Sequence, residues 1–257
     1  MKIYSWNMLY RNAELERAFA FIRDGDWDIF CLQEVPNVFL KRLQTLSYFI
    51  AFRSERELLL KEGIQHNYVV TLSKYPIEVQ NEIPFPDYWS RLPLRTRLFV
   101  RLMPSGFFTK VRNRSGLYVD VTIHGVSVRV FNLHLILAQP LWRLKEFEMA
   151  MIERDRARPT IVCGDFNILE SPHITPLNFL LGGRLGDALL YRRERTHIER
   201  CFAEHELTNA LRGTITHPFS RSQLDHILVS KAFSIKKTKI LEDRIGSDHC
   251  LIGVELA

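Results

Sequence analysis

Polar residues able to take part in catalysis recur wherever the sequence predicts the end or the start of a β-strand. Such residues occupy six segments: Trp6-Asn7, Gln33-Glu34, Asn132-Leu133-His134, Gly164-Asp165-Phe166-Asn167, Leu224-Asp225-His226 and Ser247-Asp248-His249. Strand ends in a layered α/β fold meet at one edge of the sheets, where ligand sites form. We therefore expect these side chains to lie together in one site.

Two of the six segments carry paired polar residues at a spacing of two. Side chains alternate between the faces of a strand, so Asn132 and His134 project from the same face, and Asp165 and Asn167 do likewise. Each strand therefore delivers two groups to one side of its sheet.

The oxygen-bearing residues of these segments suit a phosphate ester as the substrate. Hydrolysis of such an ester needs the developing charge neutralised, the nucleophile deprotonated and the leaving oxygen stabilised. Glu34, Asp248 and the amide of Asn7 are hard oxygen ligands, which favour Mg²⁺ or Mn²⁺ over zinc. The sequence therefore predicts a divalent-metal site built from carboxylate and amide oxygens.

The histidine that precedes the last strand supplies acid–base chemistry in this interpretation. His249 could hydrogen-bond the phosphate or act as a general base, and a carboxylate such as Asp225 would hold its tautomer. Asp165 with Asn167 could position the attacking water. Either Asp165 or His249 is compatible with the role of base.

The elements that must position these residues follow an irregular order of strands and helices. The predicted strands are residues 2–6, Asp28–Val35, Tyr68–Ser73, Thr160–Phe166, Leu224–Ser230 and Leu251–Leu256, with a hairpin over Leu117–Leu135 that turns near His124-Gly125. Amphipathic helices are predicted over residues 12–23 and from Pro140 onward. Because helices interrupt runs of strands, we expect mixed sheets covered by outer helices, in one domain over residues 1–257.

The composition is that of an ordinary globular protein, with 46% hydrophobic and 25% charged residues among 257. The four cysteines form no CxxC pair, and we expect buried reduced thiols rather than zinc ligands. The N-terminus lacks a signal-peptide pattern, and no apolar run approaches the roughly 20 residues of a membrane span. We therefore expect a soluble, cytoplasmic protein.

Basic and aromatic residues are concentrated between Tyr88 and Val119, in a chain whose net charge is +6. This stretch has seven Lys or Arg residues and no Asp or Glu. Three interpretations are open: a solvated β-surface with arginine stems packed on aromatics, a nucleic-acid contact, or a contact with anionic lipid. Arg95 and Arg97 are the candidates for substrate binding, and Met103–Phe108 would be the apolar tip of a lipid contact.

Seven short motifs resemble those of the endonuclease/exonuclease/phosphatase superfamily. They are SWN, LQEV, SKYPI, NLHL, GDFN, LDHILVS and GSDHCLIGVEL, in the order of the superfamily. The superfamily includes deoxyribonucleases, repair nucleases, sphingomyelinases and inositol polyphosphate phosphatases. The resemblance implies an α/β fold, a four-layer α/β/β/α sandwich with two mixed β-sheets flanked by helices, with the site at one edge of the paired sheets.

The resemblance also implies a role for the residues that match these motifs. Asn7 matches the asparagine that supports the metal and the phosphate. Glu34 matches the principal metal carboxylate, and Asp248 matches an additional one. Asp165 and Asn167 match the pair that orients the nucleophile and the phosphate.

Two histidines have counterparts in the superfamily. His249 matches the catalytic histidine, with Asp225 as its carboxylate partner. His134 matches a histidine of the deoxyribonuclease and sphingomyelinase branches, where it could protonate the leaving group or bind phosphate. Its orienting partner is not identified from the sequence, and Gln65 and Asn67 are the candidates.

Two positions depart from the superfamily pattern. Leu9 stands where repair nucleases often have an aspartate, which removes a possible metal-side carboxylate and argues against those branches. His226 stands where many members have an aromatic residue or arginine, and it receives no interpretation.

The sequence thus predicts a Mg²⁺-dependent hydrolase, with a phosphodiester in DNA or RNA as the leading substrate. A lipid or inositol phosphoesterase is the alternative, and a non-catalytic module that binds nucleic acid or a partner is a third possibility. The remaining histidines lie in no motif and receive no function: His66, His124, His173, His197, His205 and His217.

Overall fold

A computed structural model describes residues 1–60, 63–102, 111–190 and 192–257 of the chain. The strands in these ranges are β1 (Lys2–Asn7), β2 (Ile29–Pro36), β3 (Phe49–Leu60), β4 (Gly63–Ser73), β5 (Ile77–Pro84), β6 (Val111–Arg112), β7 (Ser115–Ile123), β8 (Val126–His134), β9 (Thr160–Asp165), β10 (Leu207–Asn209), β11 (Asp225–Ser230), β12 (Ile235–Leu241) and β13 (Leu251–Leu256). The helices are α1 (Leu15–Asp24), α2 (Asn37–Leu43), α3 (Leu94–Leu102), α4 (Pro140–Ile152), α5 (Pro176–Leu180), α6 (Leu185–Leu189) and α7 (Arg193–Glu204), with a 3-10 turn at Trp89–Arg91.

The strands form two mixed sheets that pack face to face. One sheet has seven strands in the order β12-β13-β1-β2-β4-β3-β6, and the other has six in the order β10-β11-β9-β8-β7-β5. β1 runs parallel to β2, and β8 runs parallel to β9, whereas the other pairs are antiparallel. The predicted sandwich of two mixed sheets with flanking helices is confirmed.

The central strands are buried on both faces because each sheet is sandwiched between a second sheet and a helix layer. In β1, Ile3 points into the core between the sheets, and Tyr4 packs in the cluster that contains α1 and α2. In β9, Cys163 points between the sheets, and Val162 packs in the cluster that contains α4 and α7. Strands buried on both faces form continuous apolar runs, which is why these segments could be recognised in the sequence.

Three sequence predictions, on a hairpin, a helix and the cysteines, are confirmed. The hairpin of β7 and β8 turns at His124 and Gly125, both of which have positive φ. Helix α4 begins at Pro140, whose fixed φ suits the first helical position. All four cysteines are buried and free of disulfides. No helix in the described ranges is both long and apolar enough to cross a membrane.

The basic stretch differs from its prediction. A β-surface was one interpretation, but Leu94–Leu102 forms helix α3. The predicted apolar tip, Met103–Phe108, lies outside the described residues. Five strands also have no counterpart in the prediction: β3, β5, β6, β10 and β12. β5 and β12 lie at sheet edges and are largely exposed, so their sequences lack an apolar alternation.

His226 is a core residue of the second sheet. Its ring stacks on Phe166, with 4.7 Å between the ring centroids. Nδ1 lies 2.9 Å from the carbonyl oxygen of Leu224, and Nε2 lies 2.7 Å from a guanidinium nitrogen of Arg195. Burial and the Arg195 charge lower the pKa of His226 well below its ordinary value, so the buried ring is neutral.

We expect His226 to make the protein less stable in acid. The ring stays neutral in the folded state but takes a proton in the unfolded chain below pH 6.5 or so, and protons therefore favour unfolding. Replacing His226 by Gln keeps an acceptor for Arg195 but removes the group that titrates. Below about pH 6.5, the unfolding free energy of the variant should therefore fall less steeply with decreasing pH, by up to about 1.4 kcal/mol per pH unit.

The measurement is urea unfolding of the wild type and His226→Gln between pH 7.5 and 5. His197→Gln is the matched control, because His197 is exposed and should leave the slope unchanged. Equal slopes for wild type and His226→Gln would show that His226 does not contribute to the acid sensitivity.

Candidate active site

The predicted strand-end residues meet at one edge of the sandwich. β8 and β9 end at this edge, where His134 pairs with Asp165 across the parallel ladder. β11 runs antiparallel to β9 and begins at the same edge, which places Asp225 opposite Asp165. β13 runs antiparallel to β1, so the segment before it, with His249, lies beside the end of β1.

His249 is held by the carboxylate of Asp225. Its Nδ1 lies 2.9 Å and 3.1 Å from the two carboxylate oxygens, and Asp225 is fully buried. The other ring nitrogen, Nε2, points into the site and lies 3.8 Å from Oδ2 of Asp165. Burial alone would lower the pKa of His249, but Asp225 and then Asp165 outweigh it and raise the pKa to about 10.

His134 is held in the same way by Glu55. Its Nδ1 lies 2.8 Å from Oε1 of Glu55, and its Nε2 lies 3.4 Å from Oδ2 of Asp165. Burial opposes protonation of His134, but the nearby Glu55 carboxylate outweighs it and raises the pKa of the ring. The site therefore contains two histidine–carboxylate pairs whose free nitrogens face one aspartate.

Glu55 is the partner of His134 that the sequence did not identify. The two candidates were wrong, because Gln65 donates its side-chain amide to Asn67 rather than to His134. Glu55 lies in β3, where the pairing with β4 shifts by one residue between Ser54 and Arg56. It is the extra residue of this bulge and is buried despite its charge.

Asp165 lies at the centre of the site. Oδ2 accepts a hydrogen bond from the Asn7 amide at 3.0 Å, and Oδ1 accepts one from the main-chain N–H of Asn167 at 2.8 Å. Burial would raise the pKa of Asp165, but His249 and His134 outweigh it and lower the pKa. The Asn167 side chain donates to the carbonyl oxygen of Leu135, so Asn167 orients Asp165 mainly through its main chain.

The main chain between β8 and β9 requires glycine at position 164. Gly164 has φ of +139°, and a Cβ atom placed there would lie 1.7 Å from the carbonyl oxygen of Leu133. The two strands therefore approach each other closely beside His134 and Asp165. The glycine of the Gly-Asp-Phe-Asn segment is therefore required for the packing of two main chains and needs no part in catalysis.

Asn132 projects inward like His134 but binds the opposite sheet instead of the site. Its amide nitrogen donates to the carbonyl oxygen of Val70 at 2.9 Å and to that of Leu32 at 3.2 Å. Its oxygen accepts a hydrogen bond from Gln33 at 2.8 Å. Asn132 therefore connects the two sheets directly below the edge that carries the candidate site.

Glu34 is presented by a backbone conformation that is unusual for glutamate. It has φ of 57°, at an irregularity in the pairing of β2 with β4, and strain of this kind is often found at functional sites. Its main-chain N–H donates to Glu55 at 2.5 Å, and its carboxylate lies 2.9 Å from the guanidinium of Arg56. Arg56, which the sequence interpretation did not single out, therefore provides fixed positive charge beside Glu34.

Asp248 completes the acidic lining, and His217 lies next to it. Oδ1 of Asp248 is 3.9 Å from Nε2 of His249 and has no hydrogen-bond partner within the described residues. Oδ2 is 3.6 Å from Nε2 of His217, whose ring centroid lies 4.7 Å from that of His249. His217 received no function from the sequence, because it lies in a loop and in no motif, but it borders the site.

Carboxylates and histidines at the cavity form groups that could hold a metal ion, one with Glu34, Glu55 and His134 and another with His217, Asp248 and His249. Glu34 and Asp248 line the same cavity, and the unpartnered oxygen of Asp248 is a free donor atom within the described part of the chain. Asn7 presents its amide nitrogen to Glu34 and Asp165, while its oxygen accepts the N–H of Leu9. In this orientation Asn7 bridges two carboxylates, and metal ligation by Asn7 would require its oxygen to face the cation.

Six of the predicted residues line one cavity of about 540 Å³. They are Glu34, His134, Asp165, Asn167, Asp248 and His249. Asn7 and Asp225 lie behind this lining and reach it through hydrogen bonds to Asp165 and His249. The structure therefore brings all eight predicted metal and catalytic residues into one connected group.

Arg95 and Arg97 are not part of the cavity lining in the described residues. Arg95 donates to the carbonyl oxygens of Phe179 and Gly183 and lies over the Phe179 ring, so it attaches α3 to the α5 region. The predicted role of both arginines in substrate binding stays a prediction, and their positions give it no support.

Solved structures with this fold come from several bacteria. An endonuclease/exonuclease/phosphatase from Beutenbergia cavernae superimposes with a TM-score of 0.72 at 18% identity, over 100% of this chain and 71% of that chain. A mannosyl-6-phosphatase from Bacteroides thetaiotaomicron gives 0.61 at 18% identity, over 100% and 99%. The 3' phosphatase NExo from Neisseria, bound to a product DNA hairpin, gives 0.57 at 18% identity, over 100% and 99%.

Sequence comparison identifies the family more directly than these structures, whose identities are low. No curated protein matches the chain in sequence. The sequence profile of the Endonuclease/Exonuclease/phosphatase family, however, matches residues 4–249. That match covers nearly the whole chain and includes every strand-end segment described above. The chain therefore belongs to the endonuclease/exonuclease/phosphatase family.

Proposed function

We propose that this protein is a divalent-metal-dependent hydrolase of phosphate esters, in which water attacks phosphorus. Members of its family are hydrolases that act on phosphoester bonds. The observation that carries the proposal is the placement of two imidazole rings around one carboxylate. Nε2 of His134 and Nε2 of His249 lie 3.4 Å and 3.8 Å from the same oxygen of Asp165.

The family is generally dependent on divalent metals, and the acidic lining of the cavity suits Mg²⁺ or Mn²⁺. Glu34 and Asp248 would hold the cation, and Asn7 would aid them by holding the Glu34 carboxylate through its amide nitrogen. When bound, the cation would neutralise charge on the phosphate and polarise its P–O bonds. Arg56 would add fixed positive charge on the Glu34 side of the phosphate.

Asp165 and His249 form the part of the site that would act on the attacking water. Asp165 is ionised and lies within the cavity lining, so its oxygen can accept a hydrogen bond from the water and orient it. Asp225 fixes the ring of His249 through Nδ1, and only Nε2 is directed at the reaction centre. We propose that Asp165 takes the water proton as the bond to phosphorus forms, and that His249, which its raised pKa keeps protonated, donates its Nε2–H to Asp165 or to a phosphate oxygen.

His134 would act on the departing oxygen. Glu55 outweighs burial and raises the pKa of His134, which favours the protonated ring, and Nε2 can give that proton to the leaving group as the P–O bond breaks. Glu55 does not reach the reacting atoms through its own carboxylate in this scheme. It is therefore a positioning residue that acts through His134.

A nucleic-acid phosphodiester is one candidate substrate. It is the leading prediction from the sequence, and the NExo structure, which shares the fold, holds a product DNA hairpin. A small or lipid phosphoester is the other candidate, and the mannosyl-6-phosphatase shares the fold to a similar degree. The chemistry proposed above is the same for both classes, so the first tests address the chemistry alone.

Replacing His249 by Ala should lower kcat by at least about 100-fold, which is the usual contribution of a positioned acid or base. The assay uses Mg²⁺ and a panel of 4-nitrophenyl phosphate mono- and diesters together with a labelled oligonucleotide. His197→Ala is the control, because His197 is exposed and outside the site. Full activity in His249→Ala would contradict the assigned role.

Removing the metal should abolish turnover, and Mg²⁺ or Mn²⁺ should restore it. Glu34→Gln should raise the Mg²⁺ concentration for half-maximal activity by about tenfold or more, because it removes a charged oxygen ligand. Exposed Glu204→Gln is the matched control. Turnover that persists in chelator, with an unchanged Mg²⁺ response in Glu34→Gln, is the result that excludes this metal site.

Glu55→Gln should lower the pKa of His134, since the carboxylate that favours the protonated ring is lost. Proton NMR titration of the histidines in the metal-free protein measures the shift. Glu57→Gln, two residues along the same strand and 3.7 Å from His66, is the control and should leave His134 unchanged. An unchanged pKa of His134 in Glu55→Gln is incompatible with the proposed pairing.

A further inference from the structure

The active-site cavity joins the catalytic residues to a wall of aliphatic side chains. Six leucine and isoleucine residues contribute to this apolar wall: Leu92, Leu137, Leu169, Ile174, Leu177 and Leu181. All but Leu92 belong to a single packed cluster, which makes the wall continuous. Leu177 lies in α5, and the other five lie in the segment before α3, the loop after β8 and the segments on either side of α5, whereas the catalytic residues come from the ends of strands.

The dimensions of the cavity suit a ligand larger than a phosphate group. Ligand cavities in proteins usually enclose roughly 300–1,000 Å³ and are mainly apolar, with a few polar groups that fix orientation. The cavity of about 540 Å³ has this character. Because protein interiors are otherwise closely packed, a space of this size lined by leucines fits an apolar ligand group.

The charges of the lining favour one phosphate rather than a polyanionic backbone. Three arginines line the cavity in the described residues: Arg11, Arg56 and Arg114. The guanidinium of Arg56 pairs with Glu34, and that of Arg114 with Glu146 and the carbonyl oxygen of His134. Arg11 has no ion pair among the described residues and lies over the Tyr10 ring. Nucleic acids are bound mainly through several phosphate contacts with free cations, and this lining offers one.

A hydroxyl group in the apolar wall adds a second indication of the ligand. Thr96 is fully buried and lines the cavity, and its Oγ1 has no hydrogen-bond partner among the described residues. Buried polar atoms are normally paired. An ester or amide oxygen on a mostly apolar ligand would pair with this hydroxyl.

We propose that the substrate is an amphiphilic phosphoester, a phosphate ester of a long-chain alcohol or lipid, whose hydrocarbon chain lies against the apolar wall. This proposal rests on the hydrolase function proposed above and names its substrate class. The water oxygen forms a new bond to phosphorus and the P–O bond to the leaving alcohol or phenol breaks. One hydrogen of the water ends on the leaving oxygen, and the other stays on the phosphate product. The reaction consumes one water molecule and involves no oxidation.

The test is a homologous series of alkyl 4-nitrophenyl phosphates with methyl, butyl and octyl chains, assayed below their aggregation concentrations. The phosphorus centre and the leaving 4-nitrophenolate are the same in each ester. A buried methylene contributes about 0.8 kcal/mol, or about fourfold in kcat/KM. We expect kcat/KM to rise at least about tenfold from methyl to octyl, which corresponds to two or more buried methylenes.

Thymidine 5'-(4-nitrophenyl phosphate) is the nucleic-acid arm of the same assay. We expect it to be a poorer substrate than the octyl ester. A nucleoside ester that exceeds the octyl ester, or equal kcat/KM across the alkyl series, overturns the proposal but leaves the hydrolase function in place.

Substitutions in the apolar wall test whether the dependence of kcat/KM on chain length arises from contact with the wall. Ile174→Asn should lower the octyl-to-methyl ratio of kcat/KM by about threefold or more, because it places an amide against the chain. Leu185→Asn is the control, since Leu185 is 59% exposed and does not line the cavity. Thermal unfolding confirms that each variant is folded, and the wild-type series decides the question if Ile174→Asn does not fold. An unchanged ratio in folded Ile174→Asn contradicts the claim that the hydrocarbon chain lies against the apolar wall.

Calorimetry measures whether the hydrocarbon chain contributes to binding, independently of catalysis. Octyl phosphate should bind the wild-type protein at least about tenfold more tightly than methyl phosphate. If no ester is hydrolysed, the proposed function fails, and tighter binding of octyl phosphate would still support the chain site. Equal binding of the two phosphates overturns it.

Discussion

The ionised carboxylate of Asp165 is the charge on which the rest of the site depends. It is buried, and a buried charge is costly unless it is both paired and hydrogen-bonded. Asn7 and the main chain of Asn167 supply the hydrogen bonds, and the rings of His134 and His249 supply the pairing. Each ring is held in turn by another buried carboxylate, so charges of opposite sign alternate across the edge of the sandwich.

This alternation requires that three strands keep one register. β8 sets His134 opposite Asp165, and β11 sets Asp225 opposite the same residue. A slip by one residue would turn every side chain of a strand to the other face. The strands are protected from such a slip because both of their faces are buried, one against the other sheet and one against helices. The apolar core therefore fixes the positions of the polar groups.

The same regularity explains what could be predicted. Asp165 and His134 end buried strands that contain no bulge. The fold and the sheet edge at which these two residues meet could therefore be predicted from the sequence pattern together with the family resemblance. Glu55 was not predicted, because it lies in a run of charged residues and is the extra residue of a bulge, where side chains no longer alternate between the two faces of the strand. His217 reaches the site from a loop, and only the tertiary fold places it beside Asp248. Helix α3 was missed because two of its leucines, at positions 94 and 98, are exposed and give no core pattern.

Gly164 lies where β8 and β9 approach most closely, and this contact limits how far His134 and Asp165 can move relative to each other. Since β8 and β9 touch through main-chain atoms there, the gap between imidazole and carboxylate is set in the middle of a sheet, where deformation is hardest. A substrate must adapt to this fixed centre. Under the proposed function, substrate selectivity would come from the loops and short helices around this centre rather than from the centre itself. A change of substrate would then require changes in these loops and helices alone, while the strands kept the same centre.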